Sequence, residues 1–174
     1  MLAYLFVAIA IAVHMRFLAL PFNFTPVAAA LLYFGARMPR KQMWIPVALL
    51  LASDVYLTRV TYAYPLSADH LVTWIWYAAM VLLGTRFIKG FSPIRLGVAS
   101  LTASVSFFLV SNFTVWAVWR DMYPKTFDGL MACYVAGLPF FRSTVASDML
   151  FTAVFFGIGY LASRERATSA LIAR

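Results

Sequence analysis

Two acidic side chains stand inside stretches apolar enough to lie in lipid: Asp54 in LLASDVYL and Asp148 in VASDMLF. Asn23 in FNFTP, Asn112 in VSNFTVW and Arg142 in PFFRSTV share such surroundings. Ionisable groups within membrane segments are costly and face a bundle interior or a cavity. Carboxylates, amides and a guanidinium in apolar walls do recognition chemistry, holding a polar or charged group by hydrogen bonds and charge. Two readings stay open for the acids. In one, Asp54 and Asp148 pair with Arg59 and Arg142 and fix helix packing. In the other, they touch a ligand or ion directly. Asn112 suits a hydrogen bond between helices or a contact with the same ligand. Phe24, Trp116 and Tyr134 belong to a larger set of aromatics. That set reads as an interfacial belt, or as the walls of an apolar pocket with a few polar anchors, a composition suited to a flat heterocycle.

Bond-making chemistry has little to draw on. His14 and His70 have no partner at a metal-ligand spacing such as H-E-x-x-H. Cys133 is the one cysteine, without a neighbouring His or Asp, and reads as a buried inert thiol. No glycine-rich phosphate loop is present, so the chain does not hydrolyse ATP itself. The expectation is a protein that is not an enzyme and carries no metal or cofactor.

The elements that position these residues are membrane helices. Of 174 residues, 64% are hydrophobic and 11% charged, against roughly 25% charged in an ordinary globular domain. Six apolar segments stand out, at about 2–20, 26–36, 43–58, 71–88, 97–118 and 145–162. They predict an all-α, six-helix membrane protein of one domain, with an outer lid-like connection over 119–142. The first segment lacks a basic region before it and is read as a retained helix rather than a signal peptide. With both termini placed in the cytoplasm, nine Lys and Arg fall on the inner side and five on the outer, as the positive-inside rule asks. Five of the six acids fall at or near the outer side, so the net charge of +8 lies on the inner face. Anionic lipid headgroups account for such a face, and nucleic acid is not needed as a partner.

Two segments are too short to span about 30 Å of hydrocarbon, which takes roughly 20 residues. Thr25 and Pro26 suit the N-cap and first turn of the 26–36 helix, so LPFNF must descend below the outer surface to reach it. The stretch 127–138 ends early at Gly137 and Pro139. Both interruptions fall on the outer side and predict a depression there, with Asn23, Asp54, Asn112 and Asp148 at one level. The tripeptide NFT recurs at Asn23 and Asn112, on one side of the membrane, so it does not mark an inverted repeat.

The runs NFTPVAAALLYFGA, LLLASD and SNFTVW…YPKTFDGLMACYVAGLPFFRSTVASDMLF resemble an uncharacterised family of small bacterial inner-membrane proteins. That family is similar in turn to the substrate-binding S components of energy-coupling factor vitamin transporters. The resemblance implies a six-helix bundle with cytoplasmic termini and an outward-facing pocket capped by loops. It implies docking on a transmembrane coupling protein with ATPase subunits, for which Ala8 and Ala12 have the small-xxx-small spacing. The function it implies is substrate capture for small-molecule uptake. Asn23, Phe24, Asp54, Asn112, Trp116, Tyr134, Arg142 and Asp148 are the candidate contacts. The alternative is an accessory or assembly subunit of a larger membrane complex, in which the same polar residues only pack.

Overall fold

A computed structural model of the chain describes residues 24–119 and 121–172, with side chains up to residue 163. Asn23, Ala8 and Ala12 lie outside the described residues. Among the described residues there are five α-helices and no strand.

Helix α1, Val27–Arg37, spans 11 residues, and every residue from Val27 to Gly35 is buried. It has no polar face because neighbours surround it; α3, α4 and α5 all pack on it. Its N-cap is Pro26, with no side-chain cap, so the Thr25 hydroxyl does not fill the role the sequence suggests. It ends because Met38 precedes Pro39 and is held extended, at φ −101° and ψ 152°, as the proline ring requires of the residue before it.

A 3₁₀ turn at Arg40–Gln42 leads into α2, Trp44–Tyr56, which runs on into a π-helical turn at Leu57–Thr61. The buried residues Pro46, Leu50, Ser53, Asp54 and Leu57 form one stripe, the 3.6-residue period of a helix with one face inward. Leu49, Tyr56 and Val60 are exposed on the other side. Helix α3, Ala68–Phe87, begins where the Ser67 N–H donates to His70 Nδ1 at 3.3 Å.

The closest approach in the bundle lies between α1 and α3. A β-carbon at Gly35 would collide with the Val81 carbonyl, and one at Gly84 with the Leu32 carbonyl. The two glycines therefore set the helix separation from both sides. Thr85 Oγ1, 2.9 Å from both the Gly35 and Val81 carbonyls, ties the crossing together.

Helices α4, Pro93–Val118, and α5, Phe127–Ile172, form an antiparallel hairpin. Numbers fall along one as they rise along the other. Tyr134 donates to the Leu109 carbonyl at 2.9 Å, Ser104 bonds Asp148, and Phe91 stacks on Tyr160 at 4.5 Å. The tip is closed by Trp116 Nε1 donating to the Pro124 carbonyl at 2.9 Å. The Lys125 ammonium reaches the Trp116 and Trp119 carbonyls, at 3.2 Å for the second.

Where the sequence predicts a short segment, a lid-like 119–142 connection and a separate span, the structure has one 46-residue helix with Pro139 inside it. Gly137 is no breaker. A β-carbon there would meet the Asn112 side chain, so it is the point where α5 presses on α4. Proline's fixed φ fits a helix and removes one donor, a loss that packed membrane helices absorb. The connection shrinks to the residues between Val118 and Phe127.

Among the described residues three helical stretches are long and apolar enough to cross a membrane: Arg40–Thr61, Pro93–Val118 and Phe127–Ser163. This is consistent with a membrane protein.

Candidate functional site

The two acids inside the bundle are held by specific partners. Asp148 is buried on α5 and accepts a hydrogen bond from Ser104 Oγ of α4 at 2.7 Å. Asp54 is buried on α2, where Trp74 Nε1 donates to its Oδ2 at 3.1 Å. The Tyr77 phenol also hydrogen-bonds Asp54. One residue back along α3, Trp76 Nε1 donates to Ser106 Oγ at 3.0 Å. A polar belt thus crosses the bundle from α2 through α3 to α4 and α5.

Three of these groups, Asp148, Trp76 and Tyr77, face a common space. A cavity of about 110 Å³ lies between α1, α3, α4 and α5, lined by Thr25, Val27, Ala28, Trp76, Tyr77, Phe107, Thr144 and Asp148. Asp54 is behind its Tyr77 wall. A cleft of about 320 Å³ between α4 and α5 shares Phe107 and Thr144 and extends to Ser104, Asn112 and Gly137. A third space, about 90 Å³, lies between α3 and α4 on the other side of Phe107. Phe107 is therefore the partition between all three.

The arginine partners expected for the acids are not there. Arg59 and Arg142 are both exposed. Among the described residues the one ionic contact is His70 Nδ1 to Asp69 Oδ1 at 3.5 Å. Arg142 is six residues from Asp148 on one helix, about 120° from it around the axis. It lines none of the three spaces.

The level expected for the polar residues also changes. Because α5 is continuous, Asp148 stands 21 residues in from Phe127, roughly 32 Å along the axis. Asn112 is eight residues from Ser104 on α4, so it sits about 12 Å from the Asp148 level. There it donates through Nδ2 to the Phe108 carbonyl at 2.8 Å. Its own carbonyl accepts from Cys133 Sγ at 3.3 Å, which gives the buried thiol a packing role. Asn112 still lines the larger cleft.

The aromatic candidates divide differently. Trp116 holds the hairpin tip, with Lys125 Nζ 5.5 Å from its ring centroid. Tyr134 packs on Phe108 at 5.5 Å and bonds the α4 backbone. Neither lines the three spaces. Phe24 meets Phe151 edge-on at 5.8 Å, beside Thr25 at the cavity mouth.

Trp76, Tyr77, Ser104, Phe107 and Thr144 were not singled out by sequence reasoning. Ser104 carried a signal: Ser100 and Ser104, like Asp148 and Thr152, are four residues apart and so share a helix face. All four are buried. In the antiparallel register Ser100 comes opposite Thr152, one turn from the Ser104–Asp148 bond. Among the described residues Ser100 Oγ and Thr152 Oγ1 have no hydrogen-bond partner. Among the described residues no cluster of His, Cys, Asp or Glu is placed to hold a metal ion.

Residues 1–171 match the family described as a family of unknown function, DUF6580. No curated protein and no solved structure matches the chain.

Proposed function

We propose that this chain, which belongs to the DUF6580 family of unknown function, is an integral membrane protein that binds a small molecule inside its helix bundle, as the capture subunit of an uptake system. The observation that carries this reading is the Asp148 carboxylate on the wall of a cavity, with Ser104 its one hydrogen-bond partner among the described residues and no cation paired to it. A buried charge kept only for packing is expected to be fully paired, since an unpaired one is strongly destabilising. A carboxylate with spare acceptor capacity facing empty space is better suited to a ligand.

In this reading the chain has the six-span S-component-like form, sits in a bacterial inner membrane with cytoplasmic termini, and relies on a coupling protein with ATPase subunits to complete transport. The test is native mass spectrometry of protein purified gently from its own membranes. The expected result is a retained small molecule, lost in Asp148→Asn while the variant still elutes as a folded particle. A bare chain with a stable membrane-protein partner would replace this reading with that of an accessory subunit.

A further inference from the structure

The 110 Å³ cavity has an unusual wall. One side is the Asp148 carboxylate, 3% exposed and unpaired with any cation among the described residues. Three of its seven other lining residues, Trp76, Tyr77 and Phe107, are aromatic. Among the described residues no Lys, Arg or His lines it.

A negative charge in an apolar wall attracts a positive one strongly, because little water screens it. Aromatic faces add to this, since their ring quadrupoles attract cations, most of all when the cation is stripped of water. An anionic ligand would meet Asp148 as a like charge. A neutral one would meet the carboxyl in its protonated form and make no use of the charge that the wall can offer. The first turn of α1, at Val27 and Ala28, has no side-chain cap and presents the positive end of its dipole to the same cavity. That end favours a negative Asp148 and does not take the place of a full counter-charge. The volume suits a head group of three or four water-sized units, at roughly 30 Å³ each. The larger cleft behind Phe107 and Thr144 has room for the remainder of a molecule.

We infer that the cavity receives an organic cation, a quaternary or protonated ammonium head, with Asp148 as its counter-ion and Trp76, Tyr77 and Phe107 as the faces around it. This rests on the small-molecule reading above and adds the sign of the ligand's charge.

The test is calorimetric titration of the full chain in detergent micelles with choline, and with 3,3-dimethylbutan-1-ol, the same shape with carbon in place of the charged nitrogen. Choline is expected to bind saturably, and about tenfold or more tighter than the neutral isostere. Asp148→Asn is expected to weaken it by about thirtyfold or more, and Phe107→Leu by about three- to thirtyfold. Both variants are checked for an unchanged size-exclusion profile. The isostere comparison needs no variant, so it stands even if one fails to fold. Equal binding of the two probes, tighter binding of acetate, or no saturable binding of choline overturns the inference. If native mass spectrometry then finds a retained neutral or anionic molecule, only the charge assignment has failed. If it finds a bare chain, the small-molecule reading has failed as well.

Discussion

At the residue scale the interior polar groups fall into two kinds. Ser104 donates to Asp148, whereas Ser100 Oγ and Thr152 Oγ1 are buried with no hydrogen-bond partner among the described residues. Removing the donor of the first bond leaves a desolvated acceptor, which costs about 1–3 kcal/mol. Ser104→Ala should therefore lower the thermal unfolding midpoint in detergent. An unpartnered hydroxyl contributes nothing to offset its own desolvation. Thr152→Val, nearly the same shape, should leave the midpoint unchanged or raise it, by up to about 1 kcal/mol. A midpoint lowered as much by the valine as by Ser104→Ala would mean Thr152 has a partner in solution. The sequence made Asp54 and Asp148 legible as interior groups, because a carboxylate in an apolar run is conspicuous. It did not make their partners legible. A serine or tyrosine in a membrane helix is unremarkable until folding places it across from an acid, and Tyr77 and Ser104 lie 23 and 44 positions from Asp54 and Asp148.

At the element scale, glycine and proline decide the geometry, and the two cases differ. Gly35 and Gly84 permit the α1–α3 contact, where a β-carbon would strike backbone that has nowhere to go. Overpacking of this kind costs about 1–3 kcal/mol or more. Gly84→Ala should reduce the yield of monodisperse protein and lower its unfolding midpoint, while Gly97→Ala, where a β-carbon meets nothing, should not. Equal behaviour of the two variants would refute the close crossing. The short α1 was legible from Pro26 and from the length of its apolar run. The continuity of α5 was not, because Gly137 and Pro139 look like an ending on paper. Their effect depends on Asn112, a residue of another helix that fills the space Gly137 leaves.

At the scale of the whole molecule, the α4–α5 hairpin has the length to carry the chain across a bilayer and back. The apolar part of α5 covers 37 residues, roughly 55 Å at 1.5 Å per residue, well beyond a core of about 30 Å. Its two ends should thus lie in different aqueous phases. Cys133 is the one cysteine, so Cys133→Ala provides a background for site-directed labelling. In it, Asp128→Cys and Ser163→Cys should react with a membrane-impermeant maleimide from opposite faces of sealed vesicles. Labelling of both from one face would mean that α5 does not cross.

The enclosure of α1 bears on how the protein is made. Eleven residues are too few to span a bilayer alone, and the neighbours that cover this helix include α5, whose first residue, Phe127, lies 90 positions after Arg37. The segment therefore waits for its final setting until α5 has been made. Until then the face that carries Tyr33, which meets Phe155 and Phe156 of α5, has nothing to pack against. A nascent chain released before α5 emerges would have most of its hydrophobic sequence and no centre, and the cell's quality-control proteases would meet it in that state.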